Sequence, residues 1–432
     1  MRRTVTSLGV LFLLASPALA QDHIDITHGV TFTPIRIAIP DFKMTADRAE
    51  VIAAADELHD TIVADLEFTG LFEVIDPSNY RDMPNMDPSS IDYAKWDFYN
   101  AQGVATGSVG WDPVKELYFQ GRLFDVKSKA QVFAKEFTGK TSLTRKMAHI
   151  VAQLIIETFW GQGRGFATAH VVFVGNRTGI KEVYAMDYDG QNQKQLTSSR
   201  FPNLVPACSP DGKYIAYTSY KKRNPDLYLM DLKTGESTLL HATQGQSMSP
   251  DWTPDSRSLI FTSSKGDVPG TCLWMIDVDG SNLRQITNGR KVDCSAAISH
   301  KTGEVVFTSD RTGLPQIYTM SALGSDQTRV PLPGEYNDAA SFSPDNTQIV
   351  FQSRMRGNAF DIYVYDVASQ QAIRIVDPVG SNENPAWSPD GRFVVFSGNR
   401  TGKFQLYMVR ATGSDPVKLT NSGDNETPCF CP

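Results

Sequence analysis

One set of polar side chains in this 432-residue sequence recurs at a spacing suited to binding. Asn203, Ser247, Asp293, Asn337, Asn382 and Asn425 hold one equivalent place in six related segments, and Leu204, Met248, Cys294, Asp338, Glu383 and Glu426 follow them. Amides and carboxylates repeated around a ring can bind. An amide both donates and accepts hydrogen bonds, while grouped carboxylates attract a cation or a basic peptide face. Asp293, Asp338, Glu383 and Glu426 form the acidic part, and gathering like charges costs stability unless a ligand offsets it. For Asn203, Ser247, Asn337, Asn382 and Asn425 taken singly, capping of a turn is an equally good account.

Residues for catalysis are harder to find. No Gly-x-Ser-x-Gly elbow, His-Glu-x-x-His pair, phosphate-cradling glycine loop or dinucleotide fingerprint occurs, and the seven histidines are scattered. Asp187-Tyr-Asp-Gly190 and Asp277-Val-Asp-Gly280 begin like calcium loops but lack the later ligands, which favours hairpin turns over metal sites. The expectation is a protein that is not an enzyme and uses no metal or cofactor. The five cysteines, Cys208, Cys272, Cys294, Cys429 and Cys431, match no zinc spacing, and Cys429-x-Cys431 is too tight for a CxxC redox motif. Buried thiols with one bridge are expected, Cys272 with Cys294 being the pair favoured.

The elements that position the ring come from a repeat. Strand-like runs ending in an aromatic recur at Phe173, Tyr217, Phe261, Phe307, Phe351 and Phe396, in steps of 44, 44, 46, 44 and 45 residues. A second series, Tyr184, Tyr228, Trp274, Tyr318, Tyr363 and Tyr407, keeps step with the first. Short β-rich runs broken by Asp-Gly, Thr-Gly and Ser-Pro-Asp turns make antiparallel meanders, and a period of this length signals a propeller. Nothing resembling the inner strand precedes Val171. Glu426-Thr-Pro-Cys-Phe-Cys-Pro432 instead lines up with Glu383-Asn-Pro-Ala-Trp-Ser-Pro389, so the last residues should supply the inner strand of the first blade and close the ring.

The first half reads differently. Residues 34 to 42 alternate like a strand, and Glu50 to Phe68 carries Val51, Ala54, Leu58, Ile62 and Leu66 at helical spacing. Leu71 to Ile75 suits a strand, and Gly103 to Thr138 several more, with Phe119, Leu123, Val126 and Val132 among their apolar positions. A helix over Leu143 to Trp160 should bury Met147, Ile150, Val151, Leu154 and Ile155 before a glycine-rich linker at Gly161 to Gly165. The expected architecture is α+β/β multidomain: a small N-terminal α/β domain over 34–161, then a six-bladed β-propeller over 166–432, closed by the C-terminal strand.

The N-terminus and the charge balance set the compartment. Arg2 and Arg3 precede an apolar run that ends at Ala18-Leu19-Ala20, so residues 1–20 read as an export signal and the mature chain as starting at Gln21. An oxidising compartment, the periplasm, follows. Formal net charge is −7 with the signal present, and losing two arginines makes it more acidic. Such a balance disfavours nucleic acid and anionic lipid, and no internal apolar run is long enough to insert in a membrane.

These residues together resemble the TolB family, periplasmic propeller proteins of the Tol-Pal cell-envelope system. The resemblance rests on Ile24-Asp-Ile26 before Pro34-Ile-Arg-Ile-Ala-Ile-Pro40, on Asp65-Leu-Glu-Phe-Thr-Gly-Leu-Phe72, on Met147-Ala-His-Ile running into Gly-Gln-Gly-Arg-Gly-Phe166, and on the six Ser-Pro-Asp-type blades. It implies a monomeric, non-enzymatic scaffold serving outer-membrane integrity and constriction at cell division. The lipoprotein Pal would bind at the propeller's channel mouth, which maps onto the twelve positions Asn203, Leu204, Val205, Ser247, Met248, Asp293, Asn337, Asp338, Asn382, Glu383, Asn425 and Glu426. TolA would engage the extended segment 21–33 through Asp22, His23, Ile24, Asp25 and Ile26. Colicins and other envelope proteins are further partners of this kind. The competing reading is a calcium-dependent propeller hydrolase or lactonase with its metal in the acidic channel. The third blade-connecting turn, Ser299-His300-Lys301-Thr302, departs from the Ser-Pro-Asp pattern.

Overall fold

The computed structural model describes residues 33–80, 91–114, 116–161, 165–265, 269–289, 291–355 and 357–432. The export signal and the residues assigned to TolA lie outside the described residues. Ile35–Pro432 forms one compact unit.

The α/β part is a mixed sheet with two long helices on one face. Its strands are β1 (Ile35–Ala38), β2 (Lys43–Met44), β3 (Phe72–Val74), β4 (Gly103–Asp112), β5 (Glu116–Asp125) and β6 (Ala130–Gly139). The sheet order is β3-β1-β4-β5-β6, with β1 parallel to both neighbours and β2 beside β4. A parallel β1–β3 pair needs a crossover, and α1 (Ala49–Thr69) supplies it. Its apolar stripe, Val51, Leu58, Ile62 and Leu66, is fully buried, and Gly70 ends it in the left-handed region at φ 62°. Helix α3 (Thr144–Trp160) lies beside α1 and buries Met147, Val151 and Ile155, leaving Ile150 and Leu154 half-buried.

Two features here differ from expectation. A short helix α2 (Tyr93–Phe98) caps the other face of the sheet, with Trp96 fully buried against Tyr80. Six residues are too few to show a helical period, so pattern reading passes over it. Val132 is exposed, because β6 is an edge strand with solvent on one side.

The remainder is six four-stranded antiparallel sheets. The two aromatic series of the sequence face each other across the second and third strands of every blade, as Phe173 does Tyr184 and Phe307 does Tyr318, with ring centroids 5.7 Å apart in both. The first blade contains β7 (His170–Gly175), β8 (Glu182–Asp187) and β9 (Lys194–Gln195), and its inner strand is Asn425–Cys431, paired antiparallel to β7. The chain end thus closes the ring. The Ser-Pro-Asp turns work as side-chain clasps: the Ser209 hydroxyl donates to Asp211 at 2.7 Å and accepts from the Tyr214 amide at 2.9 Å. In the degraded third copy, Ser299 instead accepts from the nearer Thr302 amide at 3.2 Å, and Thr302 Oγ1 accepts from the Glu304 amide at 3.3 Å.

A disulfide joins Cys208 to Cys431, stapling the closing strand to the inner strand of the second blade. The expected Cys272–Cys294 bridge is therefore a correction, as both are free thiols. Cys272 opens the third strand of its blade and is buried beside Gly289, whereas Cys294 sits on an inner strand facing the channel. Side chains of such different radial position do not meet.

Candidate functional site

The inner strands are Asn203–Cys208, Ser247–Trp252, Asp293–Ile298, Tyr336–Phe342, Asn382–Trp387 and Asn425–Cys431. Each carries a register shift, and at each shift one non-glycine residue takes a positive φ: Val205, Ser249, Ser295, Ala339, Asn384 and Thr427, at 47° to 54°. This is a bulge repeated six times. Left-handed backbone is costly for β-branched Val205 and Thr427, and it persists only where surrounding pairing imposes it. Proline follows in four of the six copies, at Pro206, Pro250, Pro385 and Pro428, where a bulge needs no ladder amide.

The bulge and the two-residue pleat decide which side chains face the channel. Asn203, Ser247, Asp293, Asn337, Asn382 and Asn425 do not: all are 0–1% exposed. Three of them act between blades. Asn203 Nδ2 donates to Glu182 Oε2 at 2.6 Å, Asn337 to Gln316 Oε1 at 3.0 Å and Asn425 to Gln405 Oε1 at 3.2 Å, each acceptor opening the third strand of the preceding blade. This circle, expected to meet a partner, is instead buried, and three of its six members clasp the preceding blade. Asp293 belongs with it, sealed against Arg311 Nη2 at 2.9 Å, so the expected cluster of four carboxylates loses one member.

The next circle, Leu204, Met248, Cys294, Asp338, Glu383 and Glu426, is half-buried on the channel wall, with Val205 beside it. Glu426 is paired with Lys181 at 2.5 Å. Asp338 accepts from the Thr308 hydroxyl and from its neighbour's amide, both at 2.7 Å, and Glu383 accepts from the Ser381 hydroxyl at 2.6 Å. These two carboxylates, from adjacent blades, are held by neutral donors. Their charge is felt locally: burial, reinforced by the Asp338 carboxylate, pushes the Cys294 thiol up to about 12. Among the described residues, no group of three or more His, Cys, Asp or Glu is placed to hold a metal ion.

The opposite end of the channel is different. There a cavity of about 680 Å³ is lined by the turn prolines Pro210, Pro254, Pro344 and Pro389 with Trp387 and Phe430. Asp251 projects into it, accepts from the Ile298 amide at 2.6 Å, and has its carboxyl pushed up by burial. Sequence reading missed Asp251, although its place in the repeat holds Ala207, Ala297, Ser341, Ala386 and Cys429 in the other blades. A lone carboxylate in a column of small residues was the available signal.

This second end shares its face with the α/β part. Buried Asp65 of α1 accepts from Tyr188 Oη at 2.6 Å and from His149 Nδ1 of α3 at 2.8 Å, while His149 Nε2 lies 3.6 Å from Asp187. Arg145 of α3 pairs with Asp187 and Asp189 of the same blade hairpin. Burial alone would lower the His149 pKa, but Asp187 and Asp65 outweigh it and raise it to about 9. The Asp187 carboxyl, despite its own burial, is held well below the usual range by His149, His170 and Asn192. Phe68, Phe166 and Phe393 stack across the junction at 4.8 to 5.9 Å. Among the described residues, the α/β part leaves the mouth bearing Asp338 and Glu383 uncovered.

Comparison with known proteins agrees with this architecture. The family models described as "TolB beta propeller domain" and "TolB amino-terminal domain" match residues 160–360 with 337–432, and residues 22–132. A Tol-Pal system protein TolB of Roseobacter denitrificans is 38% identical over 233 residues, 51% of each chain, and a TolB homologue of Chlorobaculum tepidum is 39% identical over 197 residues, 45% of this chain and 44% of that one. The chain thus aligns over about half the length of the curated relatives it matches. The crystal structure of TolB from Acinetobacter baumannii shares the fold, with a TM-score of 0.77 at 24% identity over 93% of this chain and 97% of that one. An α/β part seated on a six-bladed propeller that its own C-terminus closes, together with matches to both family models, places this chain in the TolB family.

Proposed function

We propose that this protein is a non-enzymatic periplasmic scaffold of the Tol-Pal system, whose free channel mouth docks the lipoprotein Pal and whose N-terminal segment, through Asp22 to Ile26, engages TolA. In this role it serves outer-membrane integrity and constriction at division. The observation that carries the reading is the mouth itself: Asp338 and Glu383 stand at the open end of the channel, held by hydroxyls and an amide instead of cations. Carboxylates so placed retain their charge for a partner. The buried circle beneath contributes by fixing the blade spacing, and so the shape of the mouth.

Calorimetric titration of the chain from Gln21 to Pro432 with the soluble domain of Pal from the same organism, at two salt concentrations, tests the assignment. Saturable one-to-one binding is expected. Absence of binding at either salt would remove the Pal assignment and turn attention to ester hydrolysis with added calcium.

A further inference from the structure

The mouth is ringed by cations that the acidic composition of the chain does not lead one to expect. On the free face, the hairpins joining the second and third strands lie radially outside the inner strands. At one repeat position they carry Arg177, Lys221, Lys265, Arg311 and Arg400, of which Arg311 is already paired with buried Asp293; in the fifth blade Arg354 stands one residue earlier. Most are pre-organised on the blade aromatics: Arg177 lies 4.9 Å from the Tyr184 ring, Lys265 5.1 Å from Trp274, Arg311 4.8 Å from Tyr318, Arg354 4.8 Å from Tyr336 and Arg400 5.5 Å from Tyr407. Among the described residues of these hairpins, Asp310 is the one carboxylate, and it is occupied in capping the Val292 amide at 2.8 Å. Exposed Lys222, Arg223 and Lys403 add to the collar. Leu314, Met355 and Val379, all 43–50% exposed, stand on loops of the same face.

Exposed Glu335 and Asp377, on the loops leading into two inner strands, interrupt the collar, yet the charge layout is largely concentric: carboxylates at the centre, mostly cations around them, apolar tips between the cations. We infer that this face is built for a folded protein partner of matching layout, with a polar or cationic knob that enters the mouth and a surrounding belt of Asp and Glu that meets the collar. The inference rests on the docking reading above and specifies the chemistry of the partner's surface. A flat anionic membrane would satisfy the collar but would press negative charge against Asp338 and Glu383, and a uniformly basic partner would be repelled by the collar. Arginines held on aromatic rings beside Met355 are of the residue types that protein interfaces enrich.

The test is a K221E/K222E/K265E/K403E variant of the full chain, titrated with the soluble domain of Pal at low and high salt beside the unaltered protein. Circular dichroism and thermal unfolding of the variant establish that it folds. At low salt the variant should bind at least about tenfold more weakly, and its dependence on salt should flatten or reverse, as rim charges act through screened, long-range attraction. Equal affinity and equal salt dependence in the two proteins would overturn the collar inference while leaving the Pal site in place. Failure of the unaltered protein to bind Pal would overturn the docking reading and, with it, this assignment. Loss of sedimentation with phosphatidylglycerol vesicles, without change in Pal affinity, would also refute it by making the collar a lipid contact.

Discussion

Replacing His149 by Gln removes the cation at the centre of the junction between the α/β part and the first blade. His149 has its pKa raised to about 9 by Asp187 and Asp65 against the cost of burial, from an ordinary value of 6.5. A group bound more tightly to its proton in the folded state stabilises that state fully below its unfolded pKa, and the contribution disappears as pH rises through the folded one. The window is therefore pH 6.5 to 9. At 1.36 kcal/mol per unit the gap corresponds to about 3 kcal/mol at most. Asp65 offsets part of this at neutral pH, because its burial disfavours the ionised carboxyl, which His149 and Tyr188 only partly hold down. The net loss expected for His149→Gln near neutral pH is about 1–3 kcal/mol. Urea unfolding at pH 6, 7.5 and 9.5 measures it. The unaltered protein should lose stability across both intervals, and the variant should start lower and change little. Parallel pH profiles for the two would refute the assignment of His149 as a charged clasp.

Two further substitutions probe the mouth and the staple. Reversing charge at Asp338 and Glu383 together should weaken binding of Pal in calorimetry while unfolding changes little, since both groups are half-buried and held by neutral donors alone, two for Asp338 and one for Glu383. Replacing Cys208 by Ser opens a loop of 223 residues, which by chain entropy should lower stability by about 3–5 kcal/mol. A reductant should do the same to the unaltered protein and nothing to the variant.

The propeller was legible because its signal is redundant. Six copies of an aromatic pair at fixed spacing leave no other fold, and the likeness of residues 426–432 to 383–389 revealed the closure before any coordinates. The site was legible only to within one residue. A strand alternates its faces, so a correct alignment of six strands still leaves open which circle points to the channel. Asn203 and its equivalents are polar and equivalent, which suited a binding ring, yet they turn between the blades, where buried amides must pair. The bulge at Val205 and its equivalents sets this phase, and its sequence mark is a proline three residues after the buried polar residue in four copies. Asp65, His149 and Tyr188 could not have been joined by pattern at all. They lie 84 and 123 residues apart from Asp65 along the chain, and a contact of that kind depends on how two separately legible parts are docked.

That docking falls at a telling place on the ring. A propeller closed by its C-terminus has one seam, here between the first blade, whose inner strand is Asn425–Cys431, and the sixth, whose inner strand is Asn382–Trp387. The α/β part straddles it. Asp65, Arg145 and His149 hold the first blade through Asp187, Tyr188 and Asp189, while Phe68 and Phe166 hold the sixth through Phe393. On the other side of the closing strand, Cys431 is tied to Cys208 of the second blade. Closure, staple and docking thus converge on a single strand, and removing residues 425–432 should do far more than trim a tail. It would expose the edge of β7 and unpair Asn425 from Gln405. It would also delete the disulfide and undercut the surface on which the α/β helices sit. The truncated chain is expected to lose its cooperative thermal transition, with both parts melting earlier. If instead calorimetry found the truncated propeller unfolding at the temperature of the full chain, the seam would not be what holds this protein together.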